Sequence, residues 1–295
     1  MLALWRRLPI LVRAPIAGFV VSAAGVFPWA ILTLWNQRVL VRVPWALLPM
    51  GVYLWLFWRY LGGAGWPSST SAARRESLRA NRLEPEIWVQ AILTGLLGLA
   101  TLIPLLAIMS RLAALPSESQ PIKVPAEMPF VTVFFLLVMA SLVAGVVEEA
   151  AFRGYMQGPI ERRHGLAIAI VVNGALFGLG HYTHHPASVL TMLPYYIGVA
   201  AVYGGLAYAT DSILPSVALH AGGDVLSLMR LWATGLPEWQ VGAASPPLIS
   251  QTGIDAAFVG PVIVFLVLGS AAVWAYSSLA RAACGARPRS IPSRH

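Results

Sequence analysis

Apolar segments long enough to cross a lipid bilayer recur along the whole chain. A hydrocarbon core about 30 Å thick needs about 20 apolar residues in an α-helix. Such segments are predicted at about 16–36, 43–61, 88–110, 129–158, 166–184, 189–209, 212–233 and 257–280. Only 11% of the residues are charged, whereas soluble domains carry about 25%. The sequence therefore predicts an all-α polytopic membrane helix bundle, a single integral membrane domain of residues 1–295 with about eight transmembrane helices.

The positive charges favour one side of this predicted topology. With eight helices, 15 of the 20 Lys and Arg residues, Arg153 included, fall on one side, and the positive-inside rule then places both termini in the cytoplasm. A basic cytoplasmic loop is expected at about 62–87, with a short amphipathic helix that anchors to lipid headgroups, and a basic tail at 281–295. The net charge of +8 forms no continuous patch with interleaved aromatic residues, so we expect no nucleic-acid partner.

The single cysteine limits the chemistry that is available to the chain. Because Cys284 is the only cysteine, the chain can form neither an intrachain disulfide nor a thiolate cluster for zinc. Cys284 lies in the basic tail. No apolar segment surrounds Cys284 to hold a base beside it, which argues against a cysteine nucleophile.

The fourth apolar segment carries ionisable residues at its end. An ionisable residue inside a membrane helix is costly and calls for a partner, water or a function. No strong helix breaker follows Glu148 and Glu149 before Gly158, so the helix is expected to continue past them. Glu149 and Arg153 are then i,i+4 neighbours in the favourable order for an ion pair, while Glu148 points about 100° away and stays available.

Two later segments carry polar stripes with a four-residue period. The first stripe is Asn173, Phe177 and His181, and the second is Ser216, His220 and Asp224. Residues four apart share one face of a helix, so each stripe is expected to face the bundle interior. At 1.5 Å per residue, these groups and Glu148 all lie about 20–25 Å from the same end of the bundle.

This arrangement favours hydrolysis. A carboxylate that faces imidazoles in a sheltered cavity can activate water, and a histidine can donate a hydrogen bond to the oxyanion that forms on an attacked carbonyl. The same polar residues could instead be structural contacts between helices.

The residues also resemble a known family. Three motifs occur in order on three predicted helices, E-E-x-x-x-R at Glu148, Glu149 and Arg153, F-x-x-x-H at Phe177 and His181, and H-x-x-x-D at His220 and Asp224. They are similar to the motifs of the CPBP or Abi family, which includes the type II CAAX prenyl endopeptidases and bacteriocin-processing or immunity proteins. The resemblance covers about residues 129–233.

The resemblance implies an intramembrane glutamate-type endopeptidase. In it, Glu148 and His181 would activate water, His220 and Asp224 would serve the oxyanion, and Glu149 and Arg153 would support the site. Asp224 departs from the amide of eukaryotic members, and an ionised carboxylate cannot donate to an oxyanion. Asp224 is therefore either protonated or only orients His220.

Other functions stay open at this stage. The same residues, with His184 and His185 nearby, could ligate a metal ion in a metal-dependent intramembrane protease, although the H-E-x-x-H signature is absent. A transporter or a non-proteolytic immunity or scaffold protein is the alternative from another class. We expect no metal ion and no other cofactor. The expected location is a bacterial inner membrane, where the partners are the lipid bilayer and a membrane-bound peptide or protein substrate.

Overall fold

The computed structural model describes residues 7–115, 122–181, 189–237, 239–240 and 246–286. The helices are α1 (Ile10–Asn36), α2 (Leu47–Leu61), α3 (Ser71–Leu78), α4 (Pro85–Leu112), α5 (Phe130–Glu148), a π-helical segment (Glu149–Gln157), α6 (Gly158–His164), α7 (Leu166–Gly180), α8 (Leu193–Thr210), α9 (Leu214–Thr234), α10 (Ile249–Thr252) and α11 (Ala256–Ala286). Apart from one isolated β-bridge between Ala80 and Ser212, the described residues form no β-structure. The predicted all-α class is confirmed.

Four helices of the described chain are both long and apolar enough to cross a membrane. These are α1, α4, the continuous helix Phe130–His164 and α11, and α7 is a shorter apolar helix. The chain is therefore an integral membrane protein. Each of the eight predicted segments contains a helix, but α2 and α7 have only 15 residues each, so the count of eight spans stays a prediction.

Glycines let neighbouring helices approach closely around the interior. The helix pairs in extensive contact include α4 with α11, α5 with α9, and α7 with α8. A Cβ on Gly145 of α5 would lie 2.8 Å from the backbone nitrogen of Ala221 on α9. A Cβ on Gly174 of α7 would lie 2.6 Å from Cα of Ile197 on α8. The first contact joins two of the helices that carry the motifs, and the second joins the third such helix, α7, to α8.

The basic loop after α2 is only partly a surface loop. Its predicted short helix is present as α3, but Arg74 and Arg79 are buried, so these two arginines do not take part in the expected anchoring to lipid headgroups. Arg74 instead donates hydrogen bonds to the carbonyl oxygens of Tyr60, at 2.8 Å, and Ala64, at 2.9 Å. The last carbonyls of a helix have no partner within the helix, and Arg74 donates to one of them, that of Tyr60, and to the Ala64 carbonyl just beyond α2.

Arg79 joins three connections at one end of the bundle. Its guanidinium lies 3.1 Å from Glu161 of α6 and 3.3 Å from Asp211, which lies between α8 and α9. The α3–α4, α6–α7 and α8–α9 connections therefore share one end, as the predicted topology requires. Arg153 does not belong with them: it is fully buried inside the bundle, so counting it among the loop cations was wrong.

Candidate active site

The helix that carries the two glutamates changes its hydrogen-bonding pattern between them. Glu148 is the last residue of α5, and Glu149 opens the π-helical segment, which leads directly into α6. The prediction that the helix continues past the glutamates is confirmed, but the continuation is π-helical over nine residues. Such segments bond each N–H to the fifth preceding carbonyl, are rare, and often occur at functional sites.

Glu149 and Arg153 form the expected ion pair. Their closest atoms, Oε1 and Nη1, are 3.0 Å apart, and both side chains are 0% exposed. The Arg153 guanidinium also lies over the rings of Phe177 and Tyr203, at 5.3 and 5.2 Å from their centroids. A buried charge needs compensation, which here comes from one carboxylate and two aromatic faces.

His220 lies among three carboxylates. Its Nδ1 is 2.7 Å from Oε1 of Glu149, and because an ionised carboxylate only accepts, Nδ1 is the donor. Its Nε2 lies 3.8 Å from Glu148 and 3.7 Å from Asp224. Glu149 therefore orients the imidazole, and Nε2 faces the two other carboxylates. The sequence paired Glu149 with Arg153 alone, and nothing in the local spacing reveals its contact with His220.

His181 follows the last residue of α7. Its Nδ1 lies 2.8 Å from the carbonyl oxygen of Phe177, which can only accept, so Nδ1 carries the proton and Nε2 is left with a lone pair in the neutral ring. The imidazole stacks on Tyr196 at a centroid distance of 5.1 Å. Deeper in the same stripe, Asn173 is buried and donates to the carbonyl of Phe152 at 2.5 Å.

One cavity brings the predicted residues together. Its volume is about 730 Å³, and Glu148, His181, His220 and Asp224 all line it. Glu148 is the glutamate that reaches this cavity, with 21% of its side chain exposed. Most of the remaining wall is apolar or aromatic and comes from α4, α8 and α9; it includes Leu99, Leu102, Ile103, Tyr195, Val199 and Leu226. The arrangement is a polar cluster at the edge of a largely apolar chamber.

Tyr196 and Tyr203 belong to the site, but they lie outside the three sequence motifs and were not predicted. The Tyr203 ring is nearly parallel to that of His220, with a centroid distance of 5.2 Å and an interplanar angle of 9°. The two tyrosines are seven residues apart in α8, and this spacing places them on one helical face. That periodicity is the pattern that could have revealed them.

Within the parts of the chain that the structure describes, no group of three or more His, Cys, Asp or Glu side chains is placed to hold a metal ion. His184 and His185, which the metal alternative included, lie outside the described residues.

Fold and site together define an all-α integral membrane protein with a glutamate and histidine cluster enclosed between its helices. Residues 130–226 match the family model of the type II CAAX prenyl endopeptidases, described as Rce1-like. The match spans all three motifs and confirms the family that they predicted. Since this is a family of peptidases, it supports peptidase activity for the chain. Searches of curated proteins and of solved structures gave no match.

Proposed function

We propose that this chain is an intramembrane endopeptidase that hydrolyses a peptide bond of a membrane-associated or lipidated peptide. The observation that carries the proposal is the shared cavity of Glu148, His181, His220 and Asp224. The four residues lie on α5, at the end of α7 and on α9, and the cavity volume of about 730 Å³ is in the range of ligand-binding pockets.

The first chemical step is attack by water. Glu148, the glutamate that faces the cavity, accepts a proton from a water molecule while the water oxygen bonds to the carbonyl carbon of the substrate. His181 is suited to hold the same water, because its Nδ1 is occupied by the Phe177 carbonyl and its Nε2 is a hydrogen-bond acceptor. The contact with Tyr196 restricts rotation of the ring.

The second step is stabilisation of the tetrahedral intermediate. When Nε2 of His220 is protonated, it can donate to the oxyanion, while Nδ1 continues to donate to Glu149. Asp224, 3.7 Å from that nitrogen, orients the ring or balances its charge. This role does not require the Asp224 carboxyl to donate a hydrogen bond.

The last step breaks the carbon–nitrogen bond. The intermediate collapses, and the proton that Glu148 took from water is delivered to the leaving amine. The products are a new carboxylate and a free amine, and Glu148 returns to its ionised form. An apolar chamber within a membrane-spanning bundle favours peptides that carry apolar residues or a lipid near the scissile bond.

The proposal is tested by comparing the membrane peptides of cells that carry different variants. Glu148→Gln keeps the size of the side chain but removes the base, so peptides that the wild-type protein cleaves are expected to accumulate, as detected by mass spectrometry. Glu127→Gln, a change of an exposed glutamate just before α5, is the matched control and should leave the peptides unchanged. Identical peptide sets in the Glu148→Gln and wild-type cells would contradict the proposal. Chelator-sensitive cleavage that zinc restores would favour the metal alternative instead.

A further inference from the structure

A second cavity lies at the end of the bundle where α1 begins and α6 ends. Its volume is about 660 Å³, and its polar lining consists of Arg13, Arg162, Arg163 and His164. The described residues that line it include no acidic side chain. Three arginines that line one cavity create a positive potential that favours an anion.

These positive charges are poorly compensated within the protein. Arg162 lies 3.6 Å from Glu76, but both side chains are at least half exposed, and such surface pairs contribute little. In the described part of the chain, Arg13 and Arg163 have no acidic partner within ion-pair distance. The start of α1 has no side-chain cap, so its first amide groups add further positive potential.

The position of the cavity indicates the source of the anion. The helix Ile10–Asn36 begins here and the helix Phe130–His164 ends here, and both have the length and apolarity of membrane-spanning helices. The cavity therefore lies where a spanning bundle meets the headgroup layer. Its remaining wall is apolar and is formed by Pro9, Ile10 and Pro159, which suits the glycerol and upper acyl region of a lipid.

We propose that this cavity binds the phosphate of an anionic phospholipid headgroup. The planar guanidinium group of arginine can donate two hydrogen bonds to the oxygens of one phosphate. Basic pockets between membrane helices are a recognised kind of lipid-binding site. The site is separate from the peptidase cavity, because the two share no lining residue. The lipid-site proposal therefore does not rest on the proposed hydrolysis.

Native mass spectrometry of the purified full-length protein in neutral detergent tests the proposal. Phosphatidylglycerol or phosphatidylcholine with the same acyl chains is added, and the bound lipid is measured. The wild-type protein is expected to retain phosphatidylglycerol preferentially. Each arginine near the surface contributes about fivefold to the binding of an anionic lipid, so the pair Arg13→Gln and Arg163→Gln should weaken retention by about 25-fold.

The controls separate a specific site from general surface charge. Arg59→Gln removes an exposed arginine over Trp55 near the end of α2, at the same end of the bundle, and should leave lipid retention unchanged. If the paired variant does not purify, Arg163→Gln alone changes an exposed side chain and should weaken retention by about fivefold. Equal retention by wild type and the cavity variants would overturn the proposal, and so would an equal loss in Arg59→Gln. Displacement of the lipid by millimolar inorganic phosphate would show a site for free phosphate and would also overturn it.

Discussion

Nδ1 of His220 donates a hydrogen bond to Oε1 of Glu149 over 2.7 Å, although the two residues are 71 positions apart in the chain. The same carboxylate oxygen lies 3.0 Å from the Arg153 guanidinium. Glu149 is thus the link between the buried cation and the histidine that lines the cavity. The adjacent glutamates have different environments: Glu149 is fully enclosed, whereas Glu148 reaches the cavity.

The buried ion pair gives a stability prediction. Glu149→Gln is expected to lower the free energy of unfolding by about 3–5 kcal/mol, because it leaves the Arg153 charge uncompensated in the interior. The combined variant Glu149→Gln with Arg153→Met removes both charges and should recover most of that loss. Denaturant unfolding in detergent micelles measures the difference. A Glu149→Gln protein as stable as wild type would show that Arg153 finds its compensation elsewhere.

The ring of Tyr203 is predicted to position His220. Tyr203→Leu removes the face that packs against both His220 and Arg153, and an aromatic contact is worth about 0.5–1.5 kcal/mol. The expected result is a kcat lower by about tenfold at most, with an unchanged KM. Tyr203→Phe keeps the ring and should keep most of the activity. Equal kcat values for Tyr203→Leu and wild type would exclude this positioning role.

Close contact between α5 and α9 is predicted to be essential for the geometry of the site. Gly145→Ala places a methyl group 2.8 Å from the Ala221 nitrogen, next to His220, so the two helices must separate. Overpacking of this kind costs about 1–3 kcal/mol, and the activity should fall with it. Gly269→Ala in α11, where the added Cβ meets no described atom within 4 Å apart from its neighbours in the helix backbone, is the control and should preserve both stability and activity. Normal activity in Gly145→Ala would show that the contact is dispensable.

Patterns within single helices predicted much of this protein. The length of the apolar segments predicted the helices, and the four-residue spacing predicted the Glu149–Arg153 ion pair. The stripe of Asn173, Phe177 and His181 faces the bundle interior, as predicted. Asn173 and Phe177 are buried, and His181 lines the cavity. In the same helix, Gly174 and Gly178 permit close contact with α8, whereas no described neighbour lies within 4 Å of a Cβ placed on Gly180.

Contacts between distant helices could not be predicted in the same way. Periodicity shows which face of a helix is polar, but not which atoms of another helix meet that face. The bond between Glu149 and His220 and the stacking of Tyr203 depend on the packing of separate helices. The burial of Arg74 and Arg79 was missed for a related reason. Carbonyl groups at and beyond the end of α2 bind Arg74, and acidic residues distant in sequence bind Arg79. A charge run alone does not reveal these partners.

In the proposed mechanism, Glu148 activates the water that cleaves the substrate. The most direct test measures kcat for the purified protein in liposomes, with a peptide identified from those that accumulate in Glu148→Gln cells. Loss of a general base lowers the rate by about 10²- to 10⁴-fold, and we predict a loss of this size for Glu148→Gln with Glu127→Gln unaffected. A Glu148→Gln protein that cleaves the peptide at the wild-type rate would contradict the account.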